Sequence, residues 1–292
     1  MTRIEVIAAV QNEAQSLPGF VERLRALSLP EGVSLRLVFI EDSSTDETRS
    51  LLRELAASDP DIGYYALERG FGQGPAIVFG LSRSEADACI LMDADGSHPP
   101  EIIPEMIARH LEGAGVVQCV RRELLDRRAY RRMATGVFQA LASRLVGIDL
   151  AEQSIYYRLV SRRFAHQLVA DPRYWRFLRF PLPRAAGELA KIPVDSAERT
   201  QGESKYGPMR LARLAIDAVL SLMSGTRFGV CLAIAVVLAA VLVSAGSWPL
   251  AVLLGGAVVW ALRRYRELRS GDLLARMAVR ESANTPEPAS TT

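Results

Sequence analysis

The sequence predicts an α/β fold with a mainly parallel sheet, followed by a C-terminal two-helix transmembrane hairpin. Two observations predict it. In the first half, short apolar runs alternate with segments of helical spacing, as in a sheet wound with crossover helices. Near the end, residues 229–245 and 248–262 carry no charge.

The elements follow in order. Residues 4–10 read as a first strand, too short and too little flanked by basic residues for a signal peptide. Helical spacing at Leu17, Phe20, Val21, Leu24 and Leu27 predicts a helix over 17–27. Residues 35–40 give a second strand and 48–57 a helix, capped by Asp46 or Thr45. A third strand over 62–67 leads through a glycine turn into a helix at 74–84. Residues 88–92 form a strand, 100–111 a helix, 116–120 a strand and 130–146 a helix.

The C-terminal part changes character. Over 171–184, Tyr174, Trp175, Phe177 and Phe180 interleave with Arg173, Arg176, Arg179 and Arg184. Such a stretch suits a nucleic acid or a membrane interface. The uncharged tail favours the membrane. Its two segments reach about 22–26 Å as helices, short of a hydrocarbon core of about 30 Å, so terminal arginines extend them by snorkelling. A buried hairpin in a soluble protein is the competing reading. Arg210, Arg213 and Arg227 precede the hairpin and Arg263, Arg264, Arg266 and Arg269 follow it, while the turn carries no charge. The positive-inside rule then puts both ends in the cytoplasm, making a multi-pass protein of the cell membrane. The expected division is 1–205 catalytic, 206–227 an amphipathic interface helix, 228–264 the hairpin and 265–292 a cytoplasmic tail. Residues 282–292 are polar and expected to be disordered.

The totals fit one large domain with an appendage. The chain has 292 residues, 49% of them apolar, and a net charge of +2, which gives no nucleic-acid signature. Its three cysteines, Cys89, Cys119 and Cys231, lie in apolar surroundings and read as reduced core residues.

The chemistry concentrates at the ends of strands. "ILMDADGSHPPE" at 90–101 runs from apolar residues into Asp93 and Asp95, then turns at Gly96. Alternation puts both carboxylates on one side of the extended chain. Two hard oxygen ligands there suit Mg²⁺ or Mn²⁺ shared with phosphate oxygens. Turn and cap residues are the bland alternative for so short a pattern. Asp42 ends another strand, where its carboxylate can accept from a base or ribose. Gly70, Gly72 and Gly74 precede a helix and allow close backbone approach to a nucleotide, without forming a dinucleotide or phosphate-loop fingerprint.

Together these pieces resemble family 2 glycosyltransferases of the A-type nucleotide-sugar (GT-A) fold, and most of all their polyprenyl-phosphate, dolichol-phosphate mannosyltransferase-like branch. Residues 9–13, 41–46, 68–72, 93–101 and 199–205 resemble that family's motifs in order, over a region from about 3 to 225. The resemblance implies that Asn12, Glu13, Asp42, Gly70, Gly72 and Asp93 bind a nucleotide-sugar donor. It implies that Asp93 and Asp95 hold the metal, with Ser97 as a weak or water-mediated ligand. The anionic acceptor needs cations to bring it in line with the donor. Arg121, Arg131, Arg199, Ser204 and Lys205 are expected at its phosphate, with Asp93, Asp95, Arg199 and Lys205 as the catalytic set. The implied reaction moves one hexose from UDP or GDP to a polyprenyl phosphate with inversion. An ionised phosphate acceptor requires no general base.

Several positions depart from the family pattern. Ala9 and Gln11 replace Pro and Tyr, Glu41 replaces Asp, Phe71 stands where Lys is frequent, and Gly96-Ser97 replace Leu-Gln. The stretch "DLAEQSIYYR" leaves Asp149 and Glu152 both open as an active-site acid. Three other functions remain: transfer to another lipid or glycan, a processive synthase, and a non-catalytic nucleotide-sugar-binding scaffold. The processive synthase is disfavoured, because Trp175-Arg176 lacks the Gln of its acceptor motif and one hairpin is too little for a channel.

Overall fold

The computed structural model describes residues 1–121, 154–172, 175, 188–194, 216–217, 220–221, 223–244, 246–270 and 272–285. It begins with β1 (Thr2–Val10), α1 (Leu17–Arg25), β2 (Val33–Glu41), α2 (Thr48–Ser58), β3 (Ile62–Leu67), α3 (Gln73–Arg83) and β4 (Ala88–Leu91). A 3₁₀ turn (Pro100–Ile102) leads into α4 (Ile103–Leu111), then come β5 (Val116–Arg121), β6 (Ser154–Ser161), α5 (Arg162–Ala170) and β7 (Leu189–Val194). The remaining elements are α6 (Gly225–Ser244), α7 (Trp248–Arg269), α8 (Asp272–Ala275) and β8 (Val279–Ala283).

The strands form one eight-stranded sheet in the order β7-β5-β6-β4-β1-β2-β3-β8. Its centre is the expected parallel block: β1 pairs parallel with β2 and β4, and β2 with β3. The flanks correct the expectation. β6 runs antiparallel to both β4 and β5, so it separates β5 from the central block although β5 points the same way and pairs parallel with β7, and β8 is antiparallel to β3. β6 escaped the sequence reading because Arg158 interrupts its apolar pattern, yet that side chain is buried in the sheet. β7 contains Pro193, which an edge strand tolerates.

Alternation along β1 builds a core on each face of the sheet. Ile4, Val6, Ala8 and Val10 join the cluster that includes Leu17 and Phe20 of α1, Leu52 of α2 and Met106 of α4. Ile7 joins the opposite cluster, with Ile77 of α3 and Phe164 of α5. α3 lies tight on the sheet: a Cβ on Gly80 would come within 2.7 Å of Ile7 Cγ2.

Trp175, expected at a membrane interface, is buried in this second cluster instead, and its Nε1 donates to the carbonyls of Leu168 and Val169 at 3.1 and 3.0 Å. Cys89 and Cys119 are core residues as expected, and burial pushes both thiols up to about 12. Cys231 is not: it is exposed on α6.

α6 and α7 form a helical hairpin. Gly246 ends α6 in the left-handed region at φ 75°. Its N–H donates to Val243 O at 3.0 Å and that of Ser247 to Leu242 O at 2.8 Å, the Schellman closure that glycine favours. Pro249 opens α7, where its missing N–H costs nothing. The apolar side chains point outward: Val237 is 61% and Leu253 69% exposed. Among the described residues α6 alone is long and apolar enough to cross a membrane. α7 carries charge from Arg263 onward.

The base of the hairpin is pinned. The Phe228 and Tyr265 rings stack at 3.9 Å. Arg264 Nε donates to Asp217 Oδ1 at 2.7 Å, and Arg269 Nη1 donates to Met223 O at 3.0 Å. Of the described residues in the expected amphipathic segment, Leu220 is buried, Asp217 is buried by its arginine partner and Ile216 is exposed. The tail is also more ordered than expected. Ser282 and Ala283 belong to β8, and Asn284 donates to the carbonyls of Ala56 and Ile62.

Candidate active site

The loops leaving β1, β2, β3 and β4 meet at the carboxyl edge of the parallel block and bind one another in sequence. After β1, Asn12 takes up the left-handed conformation at φ 59°, which asparagine tolerates. Its Oδ1 accepts the Thr45 N–H at 2.8 Å, and its own N–H donates to Ser44 Oγ at 3.1 Å. The Glu13 N–H donates to Thr48 Oγ1 at 2.9 Å, and Glu13 Oε2 accepts from Ser16 Oγ at 2.6 Å. The side chains of Asn12 and Glu13 are thus engaged in organising the loop.

The β2 loop is built on Glu41, which is fully buried. One of its oxygens accepts the Ser44 N–H and the other accepts Arg49 Nε at 2.8 Å. This carboxylate shapes a turn in which Ser43 is left-handed at φ 62°. Asp46 caps α2 from two residues ahead of Thr48, accepting its N–H at 3.0 Å.

Asp42 links the β2 loop to the next one. It is buried, and its two oxygens accept the N–H groups of Phe71 and Gly72, each at 2.7 Å. Burial raises its carboxyl pKa above the ordinary value, against the pull of these two donors. Gln11 Nε2 donates to Asp42 O at 2.8 Å, so the β1 exit joins the same knot. Gly72 is left-handed at φ 89°, which accounts for glycine there. A Cβ on Gly70 would lie at ordinary contact distance, 3.5 Å, from Asp42 O and Gln11 Nε2, so packing alone does not demand glycine at that position.

Asp93 and Asp95 emerge half-buried after β4, with Ala94 buried between them, as alternation predicts. Gln73 Nε2, at the start of α3, donates to Asp93 Oδ1 and ties the β3 and β4 loops together. Asp95 Oδ1 accepts the Ser97 N–H at 2.9 Å across the left-handed Gly96. Behind the turn, His98 Nδ1 accepts the Asp93 N–H at 3.1 Å, so that nitrogen is unprotonated. The His98 ring stacks on Tyr157 at 5.1 Å, and the Tyr157 hydroxyl donates to Pro99 O at 3.0 Å.

Two half-buried hard carboxylates fit a Mg²⁺ or Mn²⁺ ion that takes its other ligands from water and phosphate. Among the described residues no group of three or more His, Cys, Asp or Glu side chains is placed to hold a metal by itself. The donor set therefore suits an ion that arrives with a phosphate ligand rather than a closed structural site.

The structure brings together Asn12, Glu13, Asp42, Gly70, Gly72, Asp93, Asp95 and Ser97. Arg121 ends β5, and its backbone pairs with Val194. Arg131, Asp149, Glu152, Arg199, Ser204 and Lys205 lie outside the described residues. Sequence reasoning gave no role to Gln73, His98 or Tyr157 and treated Gln11 only as a departure from the family pattern. Gln73 follows the glycine turn and His98 lies within the 93–101 motif, and only the folded loops show what they bind.

Carboxylates and a glycine turn meet at the carboxyl edge of a parallel block, the edge at which α/β domains bind their ligands. Residues 5–169 match the model of Glycosyl transferase family 2. The chain belongs to that family. A relative from Pseudomonas aeruginosa (strain LESB58), undecaprenyl-phosphate 4-deoxy-4-formamido-L-arabinose transferase, is 32% identical over 217 residues, 74% of this chain and 64% of its own length. A protein of the same name from Shewanella sediminis (strain HAW-EB3) is 33% identical over 221 residues, 75% of this chain and 66% of that one. The chain thus spans just under two thirds of the relatives' length. Among solved structures, glucosyl-3-phosphoglycerate synthase from Mycobacterium tuberculosis with uridine-diphosphate has a TM-score of 0.51 at 17% identity, covering 76% of this chain and 79% of that one. The same enzyme with Mn²⁺, uridine-diphosphate and glucosyl-3-phosphoglycerate has a TM-score of 0.52 at 16% identity, covering 76% and 78%. These likenesses establish the GT-A fold.

Proposed function

We propose that the chain transfers one sugar from a nucleotide sugar to a polyprenyl phosphate at the cytoplasmic face of a membrane. The observation that carries this reading is the pair Asp93 and Asp95, half-buried on one side of the β4 exit and joined through Gln73 to the glycine turn after β3. Family membership supplies the reaction class, and the relatives' printed name supplies the acceptor class. Their named sugar is an arabinose derivative, a pentose, so the reading covers nucleotide sugars generally rather than hexoses alone.

In this reading the donor lies over the Gly70–Gly72 turn, whose backbone Asp42 fixes. Asp93 and Asp95 hold Mg²⁺ or Mn²⁺ beside the diphosphate, with Ser97 in the same turn. When bound, the ion neutralises charge on the departing nucleoside diphosphate. Gln73 and His98 orient Asp93 from either side. Arg121, Arg131, Arg199, Ser204 and Lys205 hold the acceptor phosphate, for which the arginine fork is suited.

The membrane reading gains support from β8. That strand follows the hairpin yet pairs with β3, so its residues lie on the same side as the donor site. If α6 crosses the bilayer, α7 must return. Both helices then span, and the catalytic unit and the tail share the cytoplasmic side. The arginines flanking the hairpin agree.

The test is a panel of radiolabelled UDP- and GDP-sugars with undecaprenyl and decaprenyl phosphate, using purified full-length chain. Expected is label extracted into organic solvent from at least one pairing, abolished by excess EDTA. No lipid-linked product from any pairing, with hydrolysis of the donor alone, would sink the acceptor assignment.

A further inference from the structure

The β3 edge of the sheet is closed by chain that lies beyond the hairpin. β8 pairs antiparallel with β3, Leu67 opposite Val279 and Tyr64 opposite Ala283. It therefore enters at the carboxyl end of β3, where the glycine turn begins. There the Glu68 N–H donates to Ala278 O at 3.1 Å. Phe71, inside the turn, packs on the same apolar cluster as Leu273, Leu274 and Val279, with Met277 buried in it. α8 also packs beside α3, whose first residue is Gln73.

Farther along, the strand is locked. Arg53 grips Glu281 with two bonds, at 2.8 and 2.7 Å, and the Tyr64 hydroxyl donates to the same carboxylate at 2.5 Å. Asn284 Nδ2 reaches the carbonyls of Ala56 at 2.6 Å and Ile62 at 3.0 Å.

We infer that residues 272–284 form a strap that positions the donor turn, so that donor affinity depends on chain beyond the membrane hairpin. The inference rests on reading that turn as the donor site. The turn is held on one side by the Asp42 carboxylate and on the other by Ala278 and the apolar cluster. With the second support gone the turn samples more conformations, and a ligand must order it on binding. Glu281 and Asn284 touch no donor. They act through β8 and are positioning residues.

The experiment uses the full-length chain in detergent, with UDP and GDP as probes in the presence of Mn²⁺. Calorimetry gives Kd, and hydrogen exchange over 279–284 reports whether β8 is docked. In Glu281→Ala/Asn284→Ala, the exchange should quicken and the Kd of the bound nucleotide rise about tenfold. The KM for the nucleotide sugar should rise by the same factor, while that for polyprenyl phosphate stays within about twofold. The exchanged pair Arg53→Glu/Glu281→Arg should restore most of the affinity.

Faster exchange with unchanged Kd overturns the inference. So do equal losses for both substrates, which mark general loosening. If exchange stays slow in the double variant, Val279→Pro replaces it, with the same outcomes. A wild-type chain that binds neither nucleotide overturns the donor reading itself, and this inference with it.

Discussion

At the carboxyl edge of the sheet, loops bind one another through short side chains to backbone, across 33 residues from Asn12 to Thr45 and 29 from Asp42 to Phe71. At the β3 edge and the hairpin base, long side chains carry the load. Arg53 reaches Glu281 across 228 residues and Arg264 reaches Asp217 across 47. The first network shapes a site in which two aspartates stay half-buried. The second joins parts of the chain that the α6–α7 hairpin separates. If the first network belongs to chemistry and the second to placement, substitutions should sort accordingly.

The largest effect is expected at the open end of the first network. Asp93→Asn and Asp95→Asn should each lower transfer by about a hundredfold or more, since Lewis-acid stabilisation is worth several kcal/mol. Melting temperature should hold, because both carboxylates are only half-buried. Activity near wild type in either variant would break the distinction at its strongest point.

Next come Arg199→Ala and Lys205→Ala. Losing a charge-assisted contact of about 1.5–3 kcal/mol predicts a ten- to hundredfold defect at limiting polyprenyl phosphate. Nucleotide binding by calorimetry should change little. Wild-type lipid kinetics in both would move the acceptor site toward Arg121 and Arg131.

Asp42→Ala should do the reverse. It removes the carboxylate that two part-buried N–H groups, those of Phe71 and Gly72, donate to, so nucleotide binding should weaken by about tenfold and thermal stability fall. An unaltered nucleotide Kd would show that the turn is held without it.

The smallest effect belongs to placement. The Arg53 guanidinium, with help from the Tyr64 hydroxyl, lowers the Glu281 carboxyl to about 2. A carboxyl depressed on folding stabilises the docked state above its unfolded pKa and loses that contribution as pH falls through the folded one. Hydrogen exchange in β8 should therefore quicken as pH drops from the ordinary carboxylate range toward 2, ahead of β1 and β2. Simultaneous loosening of all three strands would erase the separation between the networks.

The same contrast explains what the sequence disclosed. Strands β1 to β4 were legible because each is an apolar run bounded by turn residues, and the site lay at their ends. That Asp93 and Asp95 share one side of the chain was legible, and the buried Ala94 between them agrees. The role of Asp42 was only half legible: a strand-end carboxylate was visible, but not that two backbone N–H groups occupy it. β6 was hidden by a buried arginine, whose charge reads as surface until the fold encloses it. β8 was hidden because polar residues at a sheet edge look like tail. Their partners, Arg53 and Tyr64, lie more than two hundred residues away.

That separation sets an order of events during synthesis. Tyr64 emerges from the ribosome 217 residues before Glu281. At roughly 5–20 residues per second, the outer edge of β3 stays unpaired for roughly 10–40 s. An open strand edge is a template for pairing with another chain. The nascent protein must pass through that interval, and through synthesis of the α6–α7 hairpin, before its own strand arrives to close the sheet.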